Sequence, residues 1–454
     1  MTKSPAEPTP VPIRRYRYSK LRWRVSVHVL DLIGGCLLWL WRLVRPARTG
    51  RDPRRILLVQ LDHLGDAVLS TPLLPRLRRA YPKARIDVLA SASNQAVFQA
   101  DPHVDRVHVA PRNWFERRPG AWSIFSALFE LRASLRAGRY DLGIDVRGDV
   151  LTAFLLTLAG VHRRVGWSMG GGAFLLTDVA RWVPERHEVR SRLALLDLLG
   201  IADDEAVRVK VFPDDADRER VAERLGLAWR TKEKGPGRRK SFIATRRGRS
   251  QRARLERGLS HDAERPYLGD FSEAPPLLTV HLGAGTSAKR WPMHHWHALL
   301  GKFLGEGWRV VVVGGAEDLE ISRQVAQHSG LRDWTGQLAL TETAALLERS
   351  DLFIGADSGP AHLAACAGTP SVVLFSGTNR SGQWRPWSRR SLVLKARVPC
   401  RPCHCKVCPL ADHPCMARIE PDRVYKAARR WWARLHASRS PHPPVGLAAR
   451  RSLG

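Results

Sequence analysis

A chain of 454 residues is too long for one ordinary domain, and a hydrophobic fraction of 44% supplies material for two buried cores. Lys and Arg outnumber Asp and Glu by 74 to 43, a formal net charge of +31, which calls for anionic partners: nucleic acid, an anionic membrane face or phosphorylated substrates. Five of the 7 cysteines crowd into one stretch with no export signal beside them, which argues against a secreted disulfide scaffold.

Residues 1–50 begin with a Pro-rich stretch and RRYRYSKLRWR. They continue into the apolar run VSVHVLDLIGGCLLWLW (25–41), followed by Arg42, Arg45 and Arg48. The run is short for a spanning helix and is broken by His28, Asp31 and two glycines. No small-residue cleavage site follows it, so a secretory signal is not expected. Basic flanks and paired tryptophans suit a segment lying on an anionic membrane interface. The plainer alternative is a helix packed on the protein itself.

Residues 54–225 alternate between strand-like and helix-like patterns. RILLVQL reads as a buried strand feeding a helical pattern from Leu64 to Tyr81, and RIDVLAS, VDRVHVA and YDLGIDV are further strands. Such alternation predicts a parallel sheet with helices on both faces. Residues 226–276 form a basic linker or insertion, rich in Arg and Lys and poor in bulky apolar side chains. From Leu277 the alternation resumes through LLTVHLG, WRVVVVGG, DLFIGA and SVVLFSG, giving a second α/β domain over 277–435. The basic tail, 436–454, reads as disordered.

Three loops could carry chemistry. In GADSGPAHLAACAGTP (355–370) a strand ends at Asp357 and Ser358-Gly359-Pro360 opens a helix. Free backbone N–H groups then face the carboxyl edge of the sheet, where open α/β sheets bind ligands. Ser358 can donate to a phosphate, Gly359 permits close backbone approach, and Asp357 suits a sugar hydroxyl. A capped turn with His362 hydrogen-bonded nearby is the plain structural reading. In GAGTSAKRWP (283–292), Thr286, Ser287 and Lys289 follow another strand and suit a diphosphate; alone, the lysine would read as a solvated loop residue. In QLDHLGDAVLS, Asp66 sits near a helix start, as a cap or as a base facing the second domain.

These stretches, with YDLGIDVRGD, GGAEDLE and GTNRSGQWRPW, together resemble glycosyltransferase family 9, the bacterial lipopolysaccharide heptosyltransferases, over roughly 54–225 and 275–430. The resemblance implies a GT-B architecture, with two Rossmann-like domains facing each other across a cleft. It implies transfer of heptose from ADP-heptose to a lipopolysaccharide core or related glycolipid, with inversion and without a cofactor or catalytic metal. By motif, Asp66 matches the general base and Lys289 the residue that stabilises the diphosphate. Asp357, Gly359 and His362 match the donor-binding turn, and Glu317 or Glu320 the nucleoside contact. The implied location is the cytoplasm, at the inner face of the bacterial inner membrane.

Cys400, Cys403, Cys405, Cys408 and Cys415 interleave with His404 and His413. The spacing suits a structural metal held by Cys400, Cys403, Cys408 and Cys415, with free thiols or a disulfide as the alternatives. Two other functions fit parts of the sequence: a nucleic-acid-binding protein, which the charge alone suggests, and a nucleotide-sugar epimerase on a similar scaffold. The charge surplus gathers in the termini and the linker, so no nucleic-acid partner is expected.

Overall fold

The computed structural model describes residues 21–44, 52–111, 121–201, 206–227 and 275–437. The first part of the N-terminal segment, nearly all of the basic linker and the tail from 438 lie outside them.

In the first lobe the strands are β1 (Arg55–Gln60), β2 (Arg85–Ala90), β3 (Arg106–Val109), β4 (Leu142–Asp145), β5 (Arg163–Trp167) and β6 (Asp178–Ala180). They form one sheet in the order β3-β2-β1-β4-β5-β6, and every pairing is parallel. In the second lobe β7 (Leu277–His281), β8 (Arg309–Val312), β9 (Leu331–Asp333), β10 (Leu352–Ala356), β11 (Ser371–Leu374) and β12 (Ser391–Leu394) repeat the plan as β12-β11-β10-β7-β8-β9, again parallel. Both orders are the doubly wound Rossmann arrangement, with switch points between β1 and β4 and between β7 and β10. The central strands are buried almost throughout because helices cover both faces, which is why RILLVQ and LLTVH are predominantly apolar on both faces rather than alternating.

Two local departures from the sequence reading matter. The helical pattern 64–81 divides into Leu64–Ser70 and Leu73–Ala80, because Pro72 interrupts the ladder. The helix Asp215–Arg224, grouped by sequence with the first lobe, packs on the second: Val221 and Leu225 join Leu277, Val311 and Ala345 in one apolar cluster. Two ion pairs reinforce this packing, Arg218 with Glu348 at 2.8 Å and Arg220 with Glu342 at 2.6 Å.

The helix Leu21–Val44 docks on the first lobe beside Phe174. No helix among the described residues is long and apolar enough to cross a membrane.

Candidate active site where the two lobes meet

The helix starts after β1 and after β10 point at each other across the junction of the lobes. A Cβ on Gly65 would come within 2.9 Å of the His362 ring, and one on Gly359 within 2.7 Å of the Leu64 side chain. Glycine is therefore needed at both positions for contact between lobes. The close approach expected at Gly359 is made to Leu64.

On the first-lobe side stands Asp66, in the first turn of its helix. Its Oδ1 accepts a hydrogen bond from Arg192 Nη2 at 2.8 Å. Arg192 and Glu188 are buried on the helix Glu188–Asp197, with Arg192 Nη1 donating to Glu188 Oε2 at 3.0 Å. Glu188 Oε1 in turn accepts from Gln383 Nε2 of the second lobe at 2.8 Å. Burial pushes the Asp66 carboxyl up to about 6, against the opposing pull of the Arg192 charge. Asp66 is thus a carboxyl that ionises near neutrality, with its guanidinium anchor tied to the other lobe.

Deeper in the first lobe, Asp145 ends β4 and accepts hydrogen bonds from Thr152 Oγ1 and the backbone N–H groups of Arg147 and Gly148. Burial raises its carboxyl to about 7. Arg147 pairs with Asp62, just past the end of β1. This cluster lies at the carboxyl edge of the first sheet, at its switch point.

On the second-lobe side, Lys289 Nζ donates to Asp357 Oδ2 at 2.8 Å and to the Asp357 carbonyl at 3.2 Å. Asp357 is buried, while Lys289 stays partly open. Ser358 Oγ lies 3.0 Å from His281 Nδ1, and His281 Nε2 lies 3.0 Å from Asp318 Oδ2. Burial works against ionisation of Asp318, but the His281 hydrogen bond and charge prevail and hold its carboxyl below the usual range. His362 is buried among these groups, its imidazole driven down to about 4 by desolvation and its Nδ1 without a hydrogen-bond partner. Thr286 Oγ1 is likewise buried and unpartnered. Ser287 Oγ donates to the Lys406 carbonyl at 3.3 Å.

The structure therefore brings Asp66, Lys289, Asp357, Ser358, Gly359 and His362 to one junction. Glu317 and Glu320 are both exposed, on the turn after β8 and in the helix Leu319–Arg323 respectively, with Glu317 folded over Gly315. Sequence reasoning passed over Asp318, although it is the carboxylate of GGAEDLE that turns inward. It also missed Arg192 and Glu188, whose i, i+4 spacing on an otherwise ordinary helix gives no sign of a distant partner.

The cysteine-rich stretch buttresses the Lys289 loop. The Lys406 carbonyl accepts the Ala288 N–H at 3.1 Å, and His413 Nε2 lies 3.0 Å from the Ala288 carbonyl. Cys400, Cys403, Cys408 and Cys415 all line one cavity of about 40 Å³ together with Ala288. All four are unbridged, and as the side chains stand no three His, Cys, Asp or Glu among the described residues are placed to hold a metal.

Residues 241–413 match the model of glycosyltransferase family 9 (heptosyltransferase). Lipopolysaccharide heptosyltransferase 3 of Escherichia coli is 24% identical over 72% of this chain and 85% of its own length. Lipopolysaccharide heptosyltransferase 2 of E. coli K12 is 26% identical over 75% and 88%. Two solved structures share the fold. The glycosyl transferase family 9 protein of Veillonella parvula has a TM-score of 0.64 at 22% identity, covering 84% of this chain and 97% of that one. E. coli ADP-heptose lps heptosyltransferase II has a TM-score of 0.63 at 20% identity, covering 84% and 100%. The two Rossmann-like lobes are thus the GT-B architecture. Taken together, the matched segment, the relatives and the fold make this chain similar to the heptosyltransferases of glycosyltransferase family 9.

Proposed function

We propose that the protein transfers heptose from ADP-heptose to a lipopolysaccharide core or related glycolipid, inverting the anomeric centre without a catalytic metal. The observation that carries this reading is the opposition of Asp66 and Arg192 on one lobe to Lys289 and the 357–362 turn on the other, held by the contact of Gly65 with His362. Direct displacement needs a base beside the acceptor hydroxyl, on the face opposite the leaving diphosphate. Asp66, ionised above about pH 6, takes the hydroxyl proton, and Arg192 fixes which carboxylate oxygen remains free. Positive charge builds on the sugar as it does in glycoside cleavage, and negative charge builds on the departing diphosphate. Lys289 neutralises that charge by exchanging Asp357 for phosphate oxygens, assisted by Ser358 and backbone N–H groups of the helix Gly359–Ala367. His362, neutral above about pH 4, offers its unpartnered Nδ1 to the donor without adding charge. Thr286 and Ser287 flank the same loop as phosphate contacts, and Glu317 serves the nucleoside.

Incubation with a panel of nucleotide-sugars and lipopolysaccharide acceptors, with products identified by mass, tests the reading. A heptose-sized mass increase from ADP-heptose is expected; turnover only with another sugar nucleotide, or none with any, would overturn it. A structural metal on Cys400, Cys403, Cys408 and Cys415 is proposed separately, on ligand type and on their shared cavity. Bound thiolates there would stiffen the loop carrying Lys289. Elemental analysis of the purified protein showing well below one equivalent of metal would reject it.

A further inference from the structure

Between Val25 and Cys36 the helix Leu21–Val44 has one docked side and one uncovered apolar side. Val27, Asp31 and Gly34 meet the first lobe: Val27 lies on Gly171, Asp31 Oδ1 accepts the Gly172 N–H at 2.7 Å, and Gly34 lies against the Phe174 ring. At 3.6 residues per turn these three share one face. Val25, Val29, Leu32, Ile33 and Cys36 fall about half a turn away and form a continuous stripe. The four aliphatic members of the stripe are 43–57% exposed, and Cys36 is exposed as well. His28 and Asp31, whose polarity breaks the apolar run, lie toward the docked side and leave the outer stripe purely apolar.

We infer that this outer stripe is a lipid-facing platform, fixed rigidly to the first lobe, which seats the protein on an anionic bilayer surface. Charge selects the occupant. In sequence the stripe is bracketed by Arg22 and Arg24 on one side and Arg42, Arg45 and Arg48 on the other, beyond the basic run 14–20. Pairing two copies through this stripe, parallel or antiparallel, would bring basic ends together, whereas an anionic lipid face neutralises both ends while apolar side chains enter the acyl boundary. The helix is about 36 Å long and too polar to span, so it lies in the plane of the surface. Docking through Gly171, Gly172 and Phe174, beyond β5, makes the first lobe the membrane-proximal one. The platform takes its purpose from the proposed transfer to a lipid-borne acceptor, but its geometry stands independently.

The test is co-sedimentation of the full chain with phosphatidylglycerol-containing vesicles and with phosphatidylcholine vesicles. Binding is expected to the first, at least tenfold weaker binding to the second, and release by added salt. Val29→Glu with Ile33→Glu should cut vesicle binding by about tenfold or more while leaving melting temperature and donor affinity unchanged. Should that variant melt early, Val29→Ser with Ile33→Ser carries the same readout. Unchanged vesicle binding in the altered stripe would overturn the inference, and so would a shift from dimer to monomer in light scattering, which would assign the stripe to a second copy. Vesicle binding without sugar transfer from any donor would sink the proposed reaction and leave the platform standing. Transfer to a detached, soluble acceptor by a chain that ignores vesicles would do the reverse.

Discussion

At the scale of single residues, the carboxyl of Asp66 carries the proposed chemistry, and its environment makes that checkable. Burial lifts its proton affinity to about 6, and Arg192 is the largest force pulling it back. Ionisation is what makes it a base, so kcat/KM should fall on the acid side, with a limb near pH 6 and about a tenfold loss per pH unit below it. Replacing Arg192 with Gln removes the lowering charge and leaves Glu188 to repel, so the limb should move to higher pH. A limb that stays in place, in a folded variant, would detach Asp66 from that role. Asp66→Asn should lower kcat by at least about a hundredfold with the fold intact, measured as turnover at saturating donor. Lys289 is held at 2.8 Å by Asp357, so its charge is positioned before any diphosphate arrives. Lys289→Ala should cost about 10²–10³ in kcat, and normal turnover would remove it from the leaving-group role.

At the scale of elements, the sequence is most legible where local pattern and burial coincide. Strands such as RILLVQ and LLTVH sit between helices on both faces, so their apolar runs announce them. The outer strands β5, β6, β9 and β12 carry weaker patterns and emerge only at or next to the sheet edges. The loops bearing Asp66, Lys289 and the 357–362 turn were visible because small and polar residues interrupt apolar runs at strand ends. Contacts between distant elements leave no such trace. Nothing in SRLALLDLLG announces that Arg192 reaches Asp66, or that the glycine of LGD is required by His362 three hundred residues on. That requirement predicts Gly65→Ala: the new methyl would sit 2.9 Å from the imidazole, closer than packed atoms tolerate. The helix starts must separate, so turnover should fall about tenfold or more, and the melting temperature should fall with it because one apolar cluster spans both lobes at this junction. Gly359→Ala brings its methyl within 2.7 Å of Leu64 Cδ2 and 3.1 Å of its Cγ. Because an aliphatic side chain can turn aside more readily than a buried imidazole, it should also be damaging but the milder of the two, as parallel activity and melting measurements would show.

At the scale of the whole molecule, the two lobes are joined by more than a linker. One apolar cluster runs from Leu74 and Val189 of the first lobe to Phe353 and Leu363 of the second. A polar belt lies beside it: His187 Nε2 donates to the Arg385 carbonyl at 2.9 Å, and Trp387 Nε1 to the Val207 carbonyl at 2.9 Å. Gln383 extends the belt into the site through Glu188 and Arg192 to Asp66. The anchor of the base is thereby fastened to the lobe that carries the donor turn, so its orientation depends on the lobes being together. Gln383→Leu cuts this link and touches none of the groups assigned to the donor. Donor affinity, read by calorimetry with the nucleotide-sugar, should hold within about twofold, because Lys289, Asp357, Ser358 and His362 are undisturbed. Turnover should fall about tenfold, the acid limb of kcat/KM should move to higher pH as Arg192 loses its fixed position, and Gln383→Asn should restore little because its shorter amide cannot span the gap. An equal loss of donor affinity and turnover would mean that Gln383 merely supports the second lobe, whereas the split between them is what coupling of the base to lobe closure requires.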